Sequence, residues 1–303
     1  MGTIRRNGLL LAAVLALAVP QAGRAEEAGQ PCCEAANDDC SREPCEPELF
    51  PAPPRCPWYF QADAIILRRD VKGSTDVASL NTPQNVVFTT RELDQPMMGG
   101  ARLLLGRTLG ESPFQVEVSY FATDNWNASA AIRDVTPNTP GGEGNLFSPF
   151  TKFGNPAVEG ADYNTLVSIQ ESSSLENGEL NLRRLLPMPP GRLTGSILVG
   201  ARYMGIGEQF DYRSESQVPI ATGGATNTVQ TRTHNELWGP QIGVLLDCYI
   251  EDQWWVNFGI KGAILSNSAS QETRYVNTSS TDLSGDYFHR RSGSATTYLG
   301  DLH

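Results

Sequence analysis

Residues 236–265, ELWGPQIGVLLDCYIEDQWWVNFGIKGAIL, decide the fold. From Trp238 the even positions are Trp238, Pro240, Ile242, Val244, Leu246, Cys248 and Ile250, and the odd ones are Gly239, Gln241, Gly243, Leu245, Asp247 and Tyr249. After Glu251, Asp252 and Gln253 the alternation restarts, with Trp254, Val256, Phe258, Ile260, Gly262 and Ile264 opposite Trp255, Asn257, Gly259, Lys261, Ala263 and Leu265. Successive side chains of a strand point to opposite faces, so a period of two predicts two strands, each with one greasy and one polar or small face. Soluble strands usually run about 5–6 residues. These reach the roughly 9–11 or more that a tilted strand needs to cross a bilayer, and the pair reads as a membrane-spanning hairpin.

The same pattern recurs at 58–69, 99–106, 114–123 and 193–204, less clearly within 165–186, and begins again at 295–303. Asn177-Gly178 inside the fourth stretch is also compatible with a hairpin turn. Connections at 107–113, 187–192 and 251–253 are short, whereas those at 71–95, 124–164, 213–233 and 272–292 are long and polar. Alternating short turns and long loops is the arrangement of an outer-membrane barrel, short on the periplasmic side and long outside. The fold class expected is therefore all-β: an antiparallel up-and-down transmembrane β-barrel over residues 58–303 with at least eight strands. Trp58, Phe114, Tyr249 and Trp254 at the periplasmic ends, and Trp126, Tyr163, Phe210, Tyr212 and Trp238 at the outer ends, would form two aromatic girdles. A secreted β-sandwich shares the alternation but would bury its aromatics.

Upstream, residues 1–25 carry Arg5 and Arg6, an apolar run over 9–19 and the sequence Gly23-Arg24-Ala25, the three parts of a secretory signal. Removing them takes away three arginines and no acid, moving the net charge from −11 to −14. That balance argues against a nucleic-acid partner. Residues 26–57 are rich in Glu and Pro and hold Cys32, Cys33, Cys40, Cys45 and Cys56. They predict a disordered periplasmic tether. In an oxidising envelope such cysteines read as disulfides before metal ligands, and an odd count leaves one thiol free or joined to another chain. The segment is thus either a plain tether or a covalent cross-link to an envelope partner or a second copy.

On the inward face the alternation places Asp63, Arg102, Glu117, Arg183, Arg202, Gln241, Asp247 and Lys261, with Gln61, Gln115, Asn181 and Asn257. The interior of an eight-stranded barrel is just wide enough to be filled by side chains. These charges are expected to pair across the lumen rather than line an open channel. The three histidines, His234, His289 and His303, sit in no nucleophile motif, and the Gly-rich pieces precede no helix. No catalytic, cofactor or metal site is read. Two function classes follow: a small passive pore for ions or solutes, and a non-conducting structural or adhesive protein that anchors surface loops. Partners expected are outer-membrane lipids and the machinery that assembles barrels.

The stretches WYFQADAIILRRD (58–70), SILVGARYMGIGEQFDY (196–212) and NELWGPQIGVLLDCYIEDQWWVNFGIKGAI (235–264) resemble the planctomycete-type outer-membrane β-barrel porin family. The likeness covers roughly residues 58–303 and implies the barrel without a substrate. Members of that family usually continue past the region of Tyr298-Leu299-Gly300-Asp301 with further strands, so the resemblance implies that eight strands is a lower bound and about ten the complete number. A terminal Phe or Trp, common in barrels recognised by the assembly machinery, is absent, so the expectation is either a fragment of a longer barrel or a barrel that closes differently.

Overall fold

The computed structural model describes residues 12–13, 57–69, 73–134, 144–158, 160–188, 192–216, 224–251, 254–279 and 285–302. Most of the signal segment, and the Cys/Pro-rich segment with its five cysteines, lie outside them. The strands are β1 (Ala12–Ala13), β2 (Trp58–Leu67), β3 (Asp76–Leu80), β4 (Val86–Thr89), β5 (Met98–Thr108), β6 (Phe114–Thr123), β7 (Trp126–Arg133), β8 (Leu146–Phe147), β9 (Asn164–Leu185), β10 (Leu193–Ser216), β11 (Ala225–Glu251), β12 (Trp254–Ser279) and β13 (Gly285–Leu302). Every ladder is antiparallel, and the main path runs β1-β2-β5-β6-β9-β10-β11-β12-β13. Among the described residues β13 pairs with β12 and not with β2, so the sheet is not closed by a ladder.

The sheet is nonetheless rolled. β9 and β12 are three strand spacings apart, about 14 Å across a flat sheet at about 4.8 Å per strand. Yet Lys261 Nζ on β12 lies 2.9 Å from Glu179 Oε2 on β9. Likewise Ile65 and Leu67 of β2 share one apolar cluster with Leu237 of β11 and Leu265 of β12. The Lys261–Glu179 contact requires this face to curve in on itself, and the apolar cluster lies on the same face.

The alternation sorts residues as the sequence predicts. Phe60, Ile66, Leu103, Val118, Leu180, Val199, Ile242, Val244, Phe258 and Ile260 are all exposed, on the convex face. Their neighbours Asp63, Glu117, Glu179, Asn181, Arg202 and Gln241 are buried on the concave face. Water-facing globular sheets bury the apolar set; here it is turned outward.

Four expectations are corrected. First, the stretches read as loops at 213–233 and 272–292 are largely strand: β10 runs to Ser216, β11 starts at Ala225, β12 runs to Ser279 and β13 starts at Gly285. Their polar alternation has period two but no apolar face, which hid it. Second, Asn177-Gly178 is not a turn, since β9 is continuous for 22 residues and pairs with β10 through Gly178↔Tyr203. Third, the segments 71–95 and 124–164 fold into β3, β4, β7 and β8, which join the same sheet system through β9. Fourth, Trp126 and Tyr212 do not belong to an outer girdle: both are buried, at 2% and 4% exposure. Phe210 packs against the same cluster as Tyr212, and the Tyr163 ring lies against Phe147 at 5.4 Å. Trp238 does face outward, and the aromatics beside it are Tyr120 and Tyr203, which the register places in its row through Gly178.

Trp126 sits among Ile65, Leu67, Leu175, Met204 and Leu237 in the middle of the concave face. Trp126→Ala is expected to cost about 3–5 kcal/mol, the range for deleting a buried aromatic, measured as a shift in the urea midpoint of the refolded protein.

Candidate functional site

The concave face is layered, and the layers are set by register. Nearest the short connections is a polar chain that crosses the sheet. The Tyr59 hydroxyl donates to Glu117 Oε1 at 2.7 Å. Gly106 makes this reach possible, because a Cβ there would occupy the position of the Tyr59 ring. Arg183 then bridges Glu117 (3.3 Å) and Asp247 (2.9 Å) and donates from Nε to Ser196 Oγ at 2.7 Å. Asn257 donates to Asp247 at 2.6 Å. One guanidinium thereby serves two carboxylates from two strands, with its planar donors all directed.

The second layer centres on Glu179. Arg202 Nη2 approaches its Oε1 at 2.7 Å, Lys261 Nζ its Oε2 at 2.9 Å, and Gln241 and Asn181 donate to it at 3.0 and 3.1 Å. Arg202 also donates to Asn177 Oδ1 (2.8 Å) and pairs with Asp301 of β13 at 2.9 Å. On the β2–β5 side Arg102 pairs with Asp63 at 2.6 Å, and Gln61 donates to the same carboxylate. A buried charge is tolerated only when paired and hydrogen-bonded, and each carboxylate of this layer meets at least one cation.

Above this lies an apolar layer: Ile65, Leu67, Trp126, Leu175, Met204, Leu237 and Leu265, with Phe121 and Leu299 packed against it. Beyond it Arg69 pairs with Glu171 (3.1 Å) and with Glu208, while Gln95 donates to Glu171 and Thr233 to Glu208. The far end is filled by a second apolar cluster, in which Val77, Ala78 and Phe88 of the β3–β4 hairpin pack on Val167, Ile169 and Tyr212.

The segment before β9 is tied across this end. Phe150 packs on Tyr212 and Tyr275 at 5.2 and 5.9 Å, Asn227 donates to the Gly160 carbonyl, and the buried Asp162 accepts from Ser148 N, Thr151 Oγ1 and Val158 N. Burial pushes the Tyr212 phenol well above its ordinary range.

All eight charged or amide residues read as inward, Asp63, Arg102, Glu117, Arg183, Arg202, Gln241, Asp247 and Lys261, lie on the concave face and join these networks. Two acids escaped the sequence reading, Glu179 and Asp301. Outward Leu180 and Leu182 fix Glu179 as inward by parity, but the turn-like Asn177-Gly178 beside it obscured the strand. Cys248, the one cysteine among the described residues, is unpaired and half-buried. Among the described residues no group of three or more His, Cys, Asp or Glu is placed to hold a metal ion.

Glu179→Ala leaves Arg202 and Lys261 facing each other without their shared carboxylate. Its expected cost is about 3–5 kcal/mol, as for breaking a buried pair by removing one partner, read from denaturant unfolding. Glu176→Ala, three positions away on the exposed face, is the control and should cost well under half as much.

Comparison of the chain with protein-family models, with curated proteins and with solved structures found no match.

Proposed function

We propose that this chain is an exported outer-membrane β-barrel protein whose filled interior makes it a non-conducting anchor for the structure at its far end, rather than an open pore. The observation that carries this reading is the apolar layer around Trp126 and Leu265, lying between two charged layers that are themselves paired. An ion moving along the interior would meet first spent charges and then hydrocarbon. The cap formed by β3, β4 and the segment before β9 adds a second obstruction.

Membrane insertion is supported by the outward apolar face. No helix of the described residues is long and apolar enough to cross a membrane. From Trp238 to Ile250, both exposed, the strand covers about 40 Å at about 3.3 Å per residue. A tilt of about 40° reduces this to about 30 Å, the thickness of a bilayer's hydrocarbon core. Aromatics flank the band at both ends. Arg107 and Arg184 lie over the rings of Trp58 and Phe114 at 5.0 and 5.7 Å, and Tyr120, Tyr203 and Trp238 stand at the other end. In this reading short connections face the periplasm and the tether of residues 26–57 lies there.

Two outcomes test it. In planar bilayers the inserted protein is expected to give no steady conductance; a reproducible open step from the wild-type chain would sink the anchor reading in favour of a small pore. Val244, 46% exposed, separates membrane from water. Val244→Arg should cost about 2–4 kcal/mol in lipid vesicles, as for an arginine at the lipid-facing midplane, whereas a sandwich in water would accept it within about 0.5 kcal/mol.

A further inference from the structure

The convex face is not uniformly covered. Between Leu180, Tyr203 and Trp238 runs a groove of about 460 Å³ floored by Gly178, Ala201 and Pro240. Register explains it: Gly178, Tyr203 and Trp238 form one row across β9–β10–β11, and Leu180, Ala201 and Pro240 the next. A Cβ built on Gly178 would meet nothing within 4 Å, so the space is open rather than filled by a neighbour. Pro240 contributes no N–H, and the β11–β12 ladder skips from Trp238↔Ser266 to Gln241↔Ala263 at this point.

Immediately beyond the aromatic rim the chemistry changes sign. The next row reads Glu176, Gly205, Glu236 across the same three strands. Glu176 is held by both tyrosines of the rim: Tyr120 donates to Oε2 at 3.2 Å and Tyr203 to Oε1 at 3.4 Å. Gly205 adds no side chain of its own to this row, and the Glu176 side chain leans over it, where a Cβ would meet Glu176 Oε1 at 2.6 Å. No described cation pairs with either of them other than His234, 3.4 Å from Glu236 when protonated. An apolar trough thus opens directly onto two carboxylates, Glu176 oriented and half-buried and Glu236 exposed.

We infer that this groove binds an amine-headed amphiphile of the membrane, its alkyl chain lying over Gly178 and Ala201 between Leu180 and Trp238, and its ammonium between Glu176 and Glu236. The inference rests on the outward face being the lipid face, as proposed above. An anionic head group would bring its charge against two carboxylates at the same spot, and a head without charge would gain only the apolar contact. Long apolar ligands favour troughs lined by aromatic and aliphatic side chains with a few placed polar groups.

The test uses the full chain reconstituted into vesicles of phosphatidylethanolamine and phosphatidylglycerol in equal amounts, then extracted gently and analysed for retained lipid by native mass spectrometry. Carbonate-resistant insertion is scored on the same sample. The wild type should retain the ethanolamine lipid in preference, with an enrichment on the order of tenfold, the ratio that about 1.4 kcal/mol of discrimination gives. Gly178→Leu, whose Cβ meets no neighbour within 4 Å and whose side chain extends into the groove, should abolish retention of both lipids. Glu176→Gln combined with Glu236→Gln should keep a lipid but lose the preference. Inserted wild-type protein that retains the two lipids equally, or a Gly178→Leu chain that retains as much as wild type, overturns the groove assignment while leaving the membrane reading intact. Protein that fails to insert at all overturns the membrane reading, and the groove assignment with it.

Discussion

An ammonium on β12 and a carboxylate on β9, in contact although two strands lie between them, is the interaction on which the curvature of the concave face depends. Lys261 and Arg202 converge on Glu179 from different strands, and Arg202 extends the same network to Asp301 on β13. In a flat sheet Arg202 would still reach Glu179, its register partner on the neighbouring strand, but Lys261 could not reach Glu179 nor Asp301 reach Arg202. Rolling brings them together and removes them from water, after which each needs the others, since one unpartnered charge in such a setting costs several kcal/mol. The polar interior therefore specifies how far the sheet must turn, while the hydrogen-bonded ladders specify only which strand lies beside which.

On the proposed membrane reading the outer and inner faces answer to different solvents. Phe60, Leu103, Val118, Leu180, Ile242 and Phe258 are exposed on the convex face while Asp63, Glu117, Glu179, Arg202 and Gln241 are buried on the concave one beside its apolar layer, an outward apolar set that a domain folding in water would bury. The inversion ends with the band. Past Glu176 on β9, Gly205 on β10 and Glu236 on β11 the convex face turns to Ser174, Gly207 and His234, and the concave face becomes apolar around Val167 and Ile169. One chain thus carries two burial rules in succession along the same strands, and on the proposed reading the switch between them is the edge of the membrane band.

Much of this was readable beforehand. The alternation in 236–265 and its repeats gave the strands through the apolar band, the sorting of faces, and the inward placement of Asp63, Arg102, Glu117, Arg183, Arg202, Gln241, Asp247 and Lys261. What escaped detection shares a cause. Strand extensions such as 225–235 and 266–279 alternate between polar and polar, so hydropathy carries no period there, and only ladder formation with an equally polar neighbour reveals them. Trp126 and Tyr212 were read as rim aromatics because a sequence shows that an aromatic is near the end of a strand, not which way the strand turns it. Glu179 followed from the parity of Leu180 and Leu182, yet its neighbours Asn177-Gly178 carry a strong local turn signal that pairing with β6 and β10 overrides.

The continuity of β11 and β12, 27 and 26 residues without a break in the strand, has a mechanical consequence. On the proposed membrane reading, with a hydrocarbon core of about 30 Å, a large part of these strands would stand clear of the bilayer, joined to the embedded part by backbone rather than by a hinge. A pull on the distal tip would load the inter-strand hydrogen bonds in shear, many at once, instead of peeling them singly. Such a ribbon would transmit force and torque to its base as a stiff lever, so traction on the distal tip would be felt as tilt of the whole molecule before any bond in the ladder gives way.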